Sequence, residues 1–229
     1  MLILPVLSIF ALVVAQSAPI DAAAILNRYV QAIGGESALL AVKSRISEGE
    51  FDNGRGLNTR FRLLEEAPNR RLTLIGPDAV DAPTGSGRGF DGGAGWDKNF
   101  IGTGLRSLEG RELADAAREA DMSRPLHLFD DCATTSVVTS AGANIVVCAT
   151  KSGGRVKYQF DPRSGLLVGQ ETEAARPVRI IYDDYRRIDG VQVPFKTWIE
   201  VAGAVIKYNA QTIRQNQAVD RRDFARPAR

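Results

Sequence analysis

Two hydrophobic periods divide the chain. Near its start Leu26, Tyr29, Val30 and Ile33 fall at i, i+3, i+4 and i+7, the single stripe of an amphipathic helix. Asp21 is a suitable N-cap, Ile20 can pack on Ile25 as a hydrophobic staple, and Gly34–Gly35 would stop the helix. A short second helix is expected over Ser37 to Val42. From about Arg45 the period becomes two. Leu57, Thr59, Phe61 and Leu63 alternate with Asn58, Arg60, Arg62 and Leu64, and Val156, Tyr158 and Phe160 with Arg155, Lys157 and Gln159. Val191, Val193, Phe195, Thr197, Ile199 and Val201 share a side, as do Ala204, Ile206, Tyr208 and Ala210. Such alternation predicts antiparallel strands with one apolar face and one wet face.

Turn residues separate these runs. Asn53–Gly54 and Asp189–Gly190 read as two-residue hairpin turns, and further signals recur near Gly142, Gly153, Ser164, Pro177 and Gly203. Long strands joined by tight turns, a meander, follow from that spacing. Pro68 and Pro194 remove ladder donors and suggest edges or bulges. Residues 77–106, rich in Gly and Pro, read as a long turn region around one or two short strands. A helix is expected from Leu108 to Ala120, with Leu108, Leu113, Ala117 and Ala120 inward and an outward Arg111–Asp115 pair. No strand–helix–strand alternation appears, which disfavours a parallel sheet. The expected class is mainly β (α+β): an open, strongly curved antiparallel sheet of roughly ten strands, with the N-terminal and mid-chain helices against its concave face.

The first 15 residues are uncharged and almost wholly apolar, but shorter than the roughly 20 residues that span a bilayer. They read as the apolar core of a secretory signal over 1–18, with cleavage sites at Ala15, Ser17 and Ala18. A short membrane anchor is the alternative. Residues 19–229 then form a single domain, periplasmic or otherwise secreted. Cys132 and Cys148 suit an oxidising compartment. Between them two β-branched runs flank a turn at Ala141–Gly142, so a hairpin would bring the pair together as a disulfide; two buried thiols are the alternative. The net charge of +2 gives no electrostatic reason to expect nucleic acid. The arginines at 221, 222, 226 and 229 read as a solvated tail.

Chemistry is sparsely represented. His127 is the single histidine and could pair with Asp130, yet no nucleophile setting accompanies it and no G-x-S-x-G elbow occurs. A hydrolase using His127, Asp130 and Asp131 is a further alternative. Asp183 and Asp184, adjacent on a strand, would point to opposite faces and cannot easily share an ion, so no metal site and no cofactor are expected. Gly87-Arg-Gly89-Phe-Asp-Gly92 matches G-x-G-x-x-G, but Gly93, Gly95 and Trp96 follow, as in a hairpin rather than a phosphate-binding helix start.

Several stretches carry a family resemblance: residues 25–51 around RYVQAIGGESALLAV, GFDGGAGW at 89–96, LEGRELADAAREAD at 108–121, YQFDPRSGLLVGQE at 158–171 and YDDYRRIDGVQVPFK at 182–196. Together they resemble the bacterial outer-membrane lipoprotein-sorting and carrier (LolA-like) proteins over nearly the whole mature chain. The resemblance implies a half-barrel of antiparallel strands, helices plugging its mouth, and an apolar interior that shields acyl chains. It points to a non-enzymatic, monomeric carrier of a lipid or lipoprotein acyl chain, with envelope membrane proteins as donor or acceptor. The apolar faces supply the expected lining: Leu26 and Tyr29 from the helix, with Phe61, Tyr158, Phe160, Phe195, Ile206 and Tyr208 from the strands. The helix 21–33 and the segment 77–125 would form the lid. The competing reading is an envelope interaction module with a fully packed core.

Overall fold

The computed structural model describes residues 21–76, 85–98, 104–140 and 142–227. The signal segment over 1–18 and the Ile20 staple lie outside that set. Helix α1, Ala22–Ala32, starts where Asp21 accepts the amide of Ala24 at 2.6 Å. Helix α2, Glu36–Ala41, begins one residue earlier than expected. Helix α3, Gly110–Ala120, begins two residues later, after Leu108 has entered the core, and its Arg111–Asp115 pair forms at 3.8 Å.

Among the described residues thirteen strands form one curved antiparallel sheet, against the roughly ten expected. Six run outward from the centre: β1 Ser44–Asp52, β2 Asn58–Glu66, β3 Arg70–Ile75, β4 Ser86–Phe90, β5 Gly95–Lys98 and β6 Leu105–Ser107. The chain then crosses through α3 and the 3₁₀ turn Arg124–His127 to the opposite edge. From there it meanders back: β7 Cys132–Ser140, β8 Ala143–Thr150, β9 Arg155–Phe160, β10 Leu167–Glu173, β11 Val178–Ile188, β12 Val191–Val201 and β13 Ala204–Gln215. β13 pairs with β1 at the centre, leaving β6 and β7 as the edges.

The extra strands come mostly from the Gly-rich middle, where three appear instead of one or two. Glycine permits them sterically: a Cβ on Gly89 would lie 2.3 Å from the Trp96 indole nitrogen, so the missing side chain makes room for the ring on the next strand. The G-x-G-x-x-G stretch is thus a strand and its hairpin. Asp189–Gly190 is a two-residue turn with both residues at positive φ, 45° and 89°. Asn53–Gly54 belongs instead to a five-residue loop, 53–57, because the Asn53 side chain accepts the amides of Arg55 and Leu57 and holds a wider turn. Pro68 marks no edge, but Pro194 marks a locally unpaired side of its strand. Pro68 lies in the β2–β3 connection, and Pro194 sits inside β12 two residues beyond its last ladder partner on β13.

Both broad faces are used, contrary to the expectation of one wet face. By register Ile46, Leu64, Leu72, Gly89 and Trp96 are successive neighbours across β1–β5. They are sealed by Phe224, fully buried, whose carbonyl accepts the Trp96 indole N–H at 3.0 Å. The C-terminal segment, expected as a solvated tail, is therefore docked through its 3₁₀ turn Arg221–Phe224, although Arg221 and Arg222 remain exposed. An apolar anchor two and three residues beyond these arginines outweighs their solvation. α1 and α3 lie on the other face, here called inner, α1 over β8–β12 and α3 over β3–β5.

Candidate functional site

All eight expected lining residues belong to the inner face. Tyr29, Tyr158, Phe160 and Phe195 are buried in the main core cluster, and Leu26 packs against it. Tyr29 meets Phe160 edge-on with ring centroids 5.6 Å apart. Phe61 and Tyr208 form a second group with Phe51, their rings crossing at 5.1 and 5.2 Å from Tyr208. Ile206, half-buried, pairs with Ile199 beside it. The face therefore holds two aromatic groups instead of one lining.

Helix α1 is held over the first group at its middle and at its C-terminal end. Ile33 accepts the amide of Gln192 at 2.9 Å, and Arg28 donates to the carbonyls of Pro162 and Arg163 in the β9–β10 turn. Ile25, Tyr29 and Ile33 are buried beneath it. These side chains fill much of the space between helix and sheet, and a cleft of about 220 Å³ beside them is bounded by Ala24, Ile25, Arg28, Asn144, Phe160, Asp161 and Gly165. Pockets that enclose drug-sized ligands run to about 300–1,000 Å³. With α1 seated, this cleft is smaller than that.

Tyrosine chemistry concentrates on the same face. Burial pushes the hydroxyl pKa up at every tyrosine of the chain: Tyr29, Tyr158, Tyr182 (to about 12), Tyr185 and Tyr208. The Tyr185 hydroxyl donates to the Leu167 carbonyl at 2.6 Å. Charged residues are present too. Arg45, Glu65 and Arg71 are neighbours across β1–β3 on the inner face, with Glu65 only 8% exposed. Sequence reasoning missed them, although the alternation Phe61–Leu63–Glu65 turns Glu65 inward with the phenylalanine. The same signal, through Ile180, would have found Tyr182.

The hydrolase candidates do not assemble. His127 Nε2 lies 2.7 Å from Asp121, not Asp130. Asp121 also accepts the Ser123 amide and hydroxyl, which together hold its carboxyl below the usual range despite partial burial. Asp131 pairs with Arg118 and Arg124. These contacts tie the end of α3 to the following 3₁₀ turn. Among the described residues no group of three or more His, Cys, Asp or Glu side chains could hold a metal ion. The disulfide Cys132–Cys148 is formed, with Cα atoms 5.3 Å apart.

No protein-family model matches the chain, and no curated protein sequence does. Solved structures do. A LolA superfamily protein from Nitrosomonas europaea aligns over 90% of this chain and 98% of its own, with 12% identity and a TM-score of 0.57. A DUF1329 family protein from Desulfovibrio piger aligns over 89% and 96%, with 13% identity and a TM-score of 0.60. A domain from Vibrio parahaemolyticus named for outer membrane lipoprotein sorting aligns over 79% and 88%, with 12% identity and a TM-score of 0.56. The curved sheet, with its helices on one face, is the LolA-like fold.

Proposed function

We propose that this chain is a non-catalytic carrier or binding protein of the cell envelope, holding a lipid or lipoprotein acyl chain against the inner face of its sheet. The observation that carries the reading is the stacking of apolar and aromatic side chains from β1, β2, β8, β9, β12 and β13 on the one face that also carries α1 and α3, in a fold shared with a lipoprotein-sorting domain. Each buried CH₂ of an acyl chain contributes about 0.8 kcal/mol, so contact with such a face suffices for binding without polar recognition. The candidate contacts are Leu26, Tyr29, Phe61, Tyr158, Phe160, Phe195, Ile206 and Tyr208. Because the cleft beside α1 is only about 220 Å³, loading requires a helix to lift and uncover them. Residues 1–18 would direct export to the periplasm, where the disulfide is stable, and donor and acceptor would be envelope membrane proteins.

Native mass spectrometry after gentle purification, with fluorescent fatty-acid uptake, tests the reading. A lipid-sized adduct and saturable uptake are expected. A clean apo mass together with no uptake would refute carriage.

The filled core beneath α1 favours one competitor, an envelope interaction module without a ligand. Phe195→Trp adds volume at a buried position stacked on Arg186 at 4.2 Å. Loss of lipid uptake in that variant supports the carrier; partners retained equally by both forms, with no uptake in either, support the module.

A further inference from the structure

Packing of acyl chains does not account for the charge on the inner face. Arg45 on β1 lies across from Glu65 on β2, which lies across from Arg71 on β3. Arg88 on β4 pairs with Thr73, two residues from Arg71 and on the same side. Three guanidiniums thus form a file across four adjacent strands. Glu65 takes Arg71 at 2.8 Å and Arg45 at 3.6 Å, and so serves two of them. Arg88 donates to the Glu112 carbonyl at 3.2 Å, and Arg71 also reaches the Glu119 carbonyl at 3.3 Å, both on α3. The Nε atoms of Arg45 and Arg88 are buried without an acceptor. The Glu119 carboxylate, exposed on α3, adds a second negative charge close enough to act on Tyr182 and Tyr208. Asp97 lies directly across from Arg88 on β5, and it and the Glu112 carboxylate pair with Arg106, so the wider cluster is balanced in charge and its unsatisfied groups are the Nε atoms of Arg45 and Arg88.

Neutral carbonyls are weaker partners for a guanidinium than ionised oxygens, and a phosphate or carboxylate can take two of its N–H groups at once. Phe90 lies directly across from Arg71 and packs on α3, and farther along the same side stands the Phe51–Phe61–Tyr208 group. Phe61 stands four residues from Glu65 along β2, about 13 Å at strand rise. That span suits an extended chain running from a head fixed at the file to the aromatic group. We propose that Arg45, Arg71 and Arg88 seat the headgroup of an amphiphile that carries a phosphate or carboxylate, its chain laid on Phe51, Phe61 and Tyr208. This assignment rests on the carrier reading and names the class of lipid the carrier selects.

Calorimetric titration of the whole protein with dodecyl phosphate, laurate and monolaurin tests it, with inorganic phosphate as a fourth probe. At least one of the two anionic amphiphiles binds tenfold or more tighter than neutral monolaurin. The tighter of the two distinguishes a phosphate headgroup from a fatty-acid carboxylate. In Arg45→Gln/Arg88→Gln the preference falls below threefold with monolaurin affinity unchanged, while Arg45→Lys/Arg88→Lys keeps it. Equal binding of monolaurin and both anions overturns the headgroup seat and leaves the carrier standing. Binding of none of the three amphiphiles removes the carrier reading itself. Inorganic phosphate binding as tightly as dodecyl phosphate makes the file a free-anion site and overturns the amphiphile. The comparison on unaltered protein needs no variant to fold.

Discussion

Gly34 shows how closely α1 is fitted to the sheet. Its φ is +124°, and a Cβ there would stand 2.4 Å from the Gly190 carbonyl oxygen in the β11–β12 turn. Two costs coincide in Gly34→Ala: a backbone conformation unfavourable to L-residues and a clash with main chain that has no rotamer to escape into. The substitution is expected to destabilise the protein by at least about 2 kcal/mol, read as a lowered denaturation midpoint. Phe224 is the outer-face counterpart. Phe224→Ala leaves a cavity against Trp96, Leu64 and Leu72 and is expected to cost about 3–5 kcal/mol in urea unfolding. Both residues were poorly legible beforehand. Gly34 reads as a helix stop whatever it touches, and Phe224, among four arginines and an aspartate, has no periodic partners to betray its burial.

At the level of elements, the two inner helices differ in anchorage. α1 buries Ile25, Tyr29 and Ile33, whereas α3 buries Ala116 and Ala120, with Leu113 and Ala117 partly covered. Methyl groups remove less apolar area from water than isoleucine or tyrosine, so α3 is the less firmly held. Amide hydrogen exchange is expected to be faster across 112–120 than across 25–33; the reverse order would identify α1 as the lid that opens first. The β7–β8 hairpin depends on another device. β7 is an edge strand, largely exposed on both sides, and its disulfide closes a 16-residue separation. Reduction, or Cys132→Ala/Cys148→Ala, is expected to lower stability by about 3 kcal/mol, visible as a drop in Tm. The hairpin and its cross-link were readable from two β-branched runs around a turn. The full set of three strands in the Gly-rich middle was not, because glycine signals a turn in sequence even where its bareness admits an indole from the neighbouring strand.

For the molecule as a whole, the enclosed tyrosines supply a collective signature. All five hold their protons beyond the ordinary range because burial disfavours the phenolate, and Tyr182 is pushed up to about 12. In the unfolded chain they ionise near 10. Their contribution to stability is complete below that pH and is lost as pH rises from about 10 through the folded-state values, since the unfolded state then binds fewer protons. Tyrosinate absorbance is expected to appear in one cooperative step coincident with loss of circular dichroism; a gradual rise beginning near pH 10 with the fold intact would mean exposed hydroxyls.

What the sequence determined by itself was local. Periods of 3.6 and 2, caps, turn residues and cysteine spacing specify the helix at 22–32, the long strands of the second half and the cross-linked hairpin, since each depends on residues a few positions apart. Three matters were left to the tertiary structure: that β13 pairs with β1, that Phe224 seals the outer face, and that Arg45, Glu65, Arg71 and Arg88 converge on the inner one. Each arises from strands remote in sequence being laid side by side. Alternation states which residues share a side of one strand, but only the order and register of strands decide which charges and rings meet across the sheet.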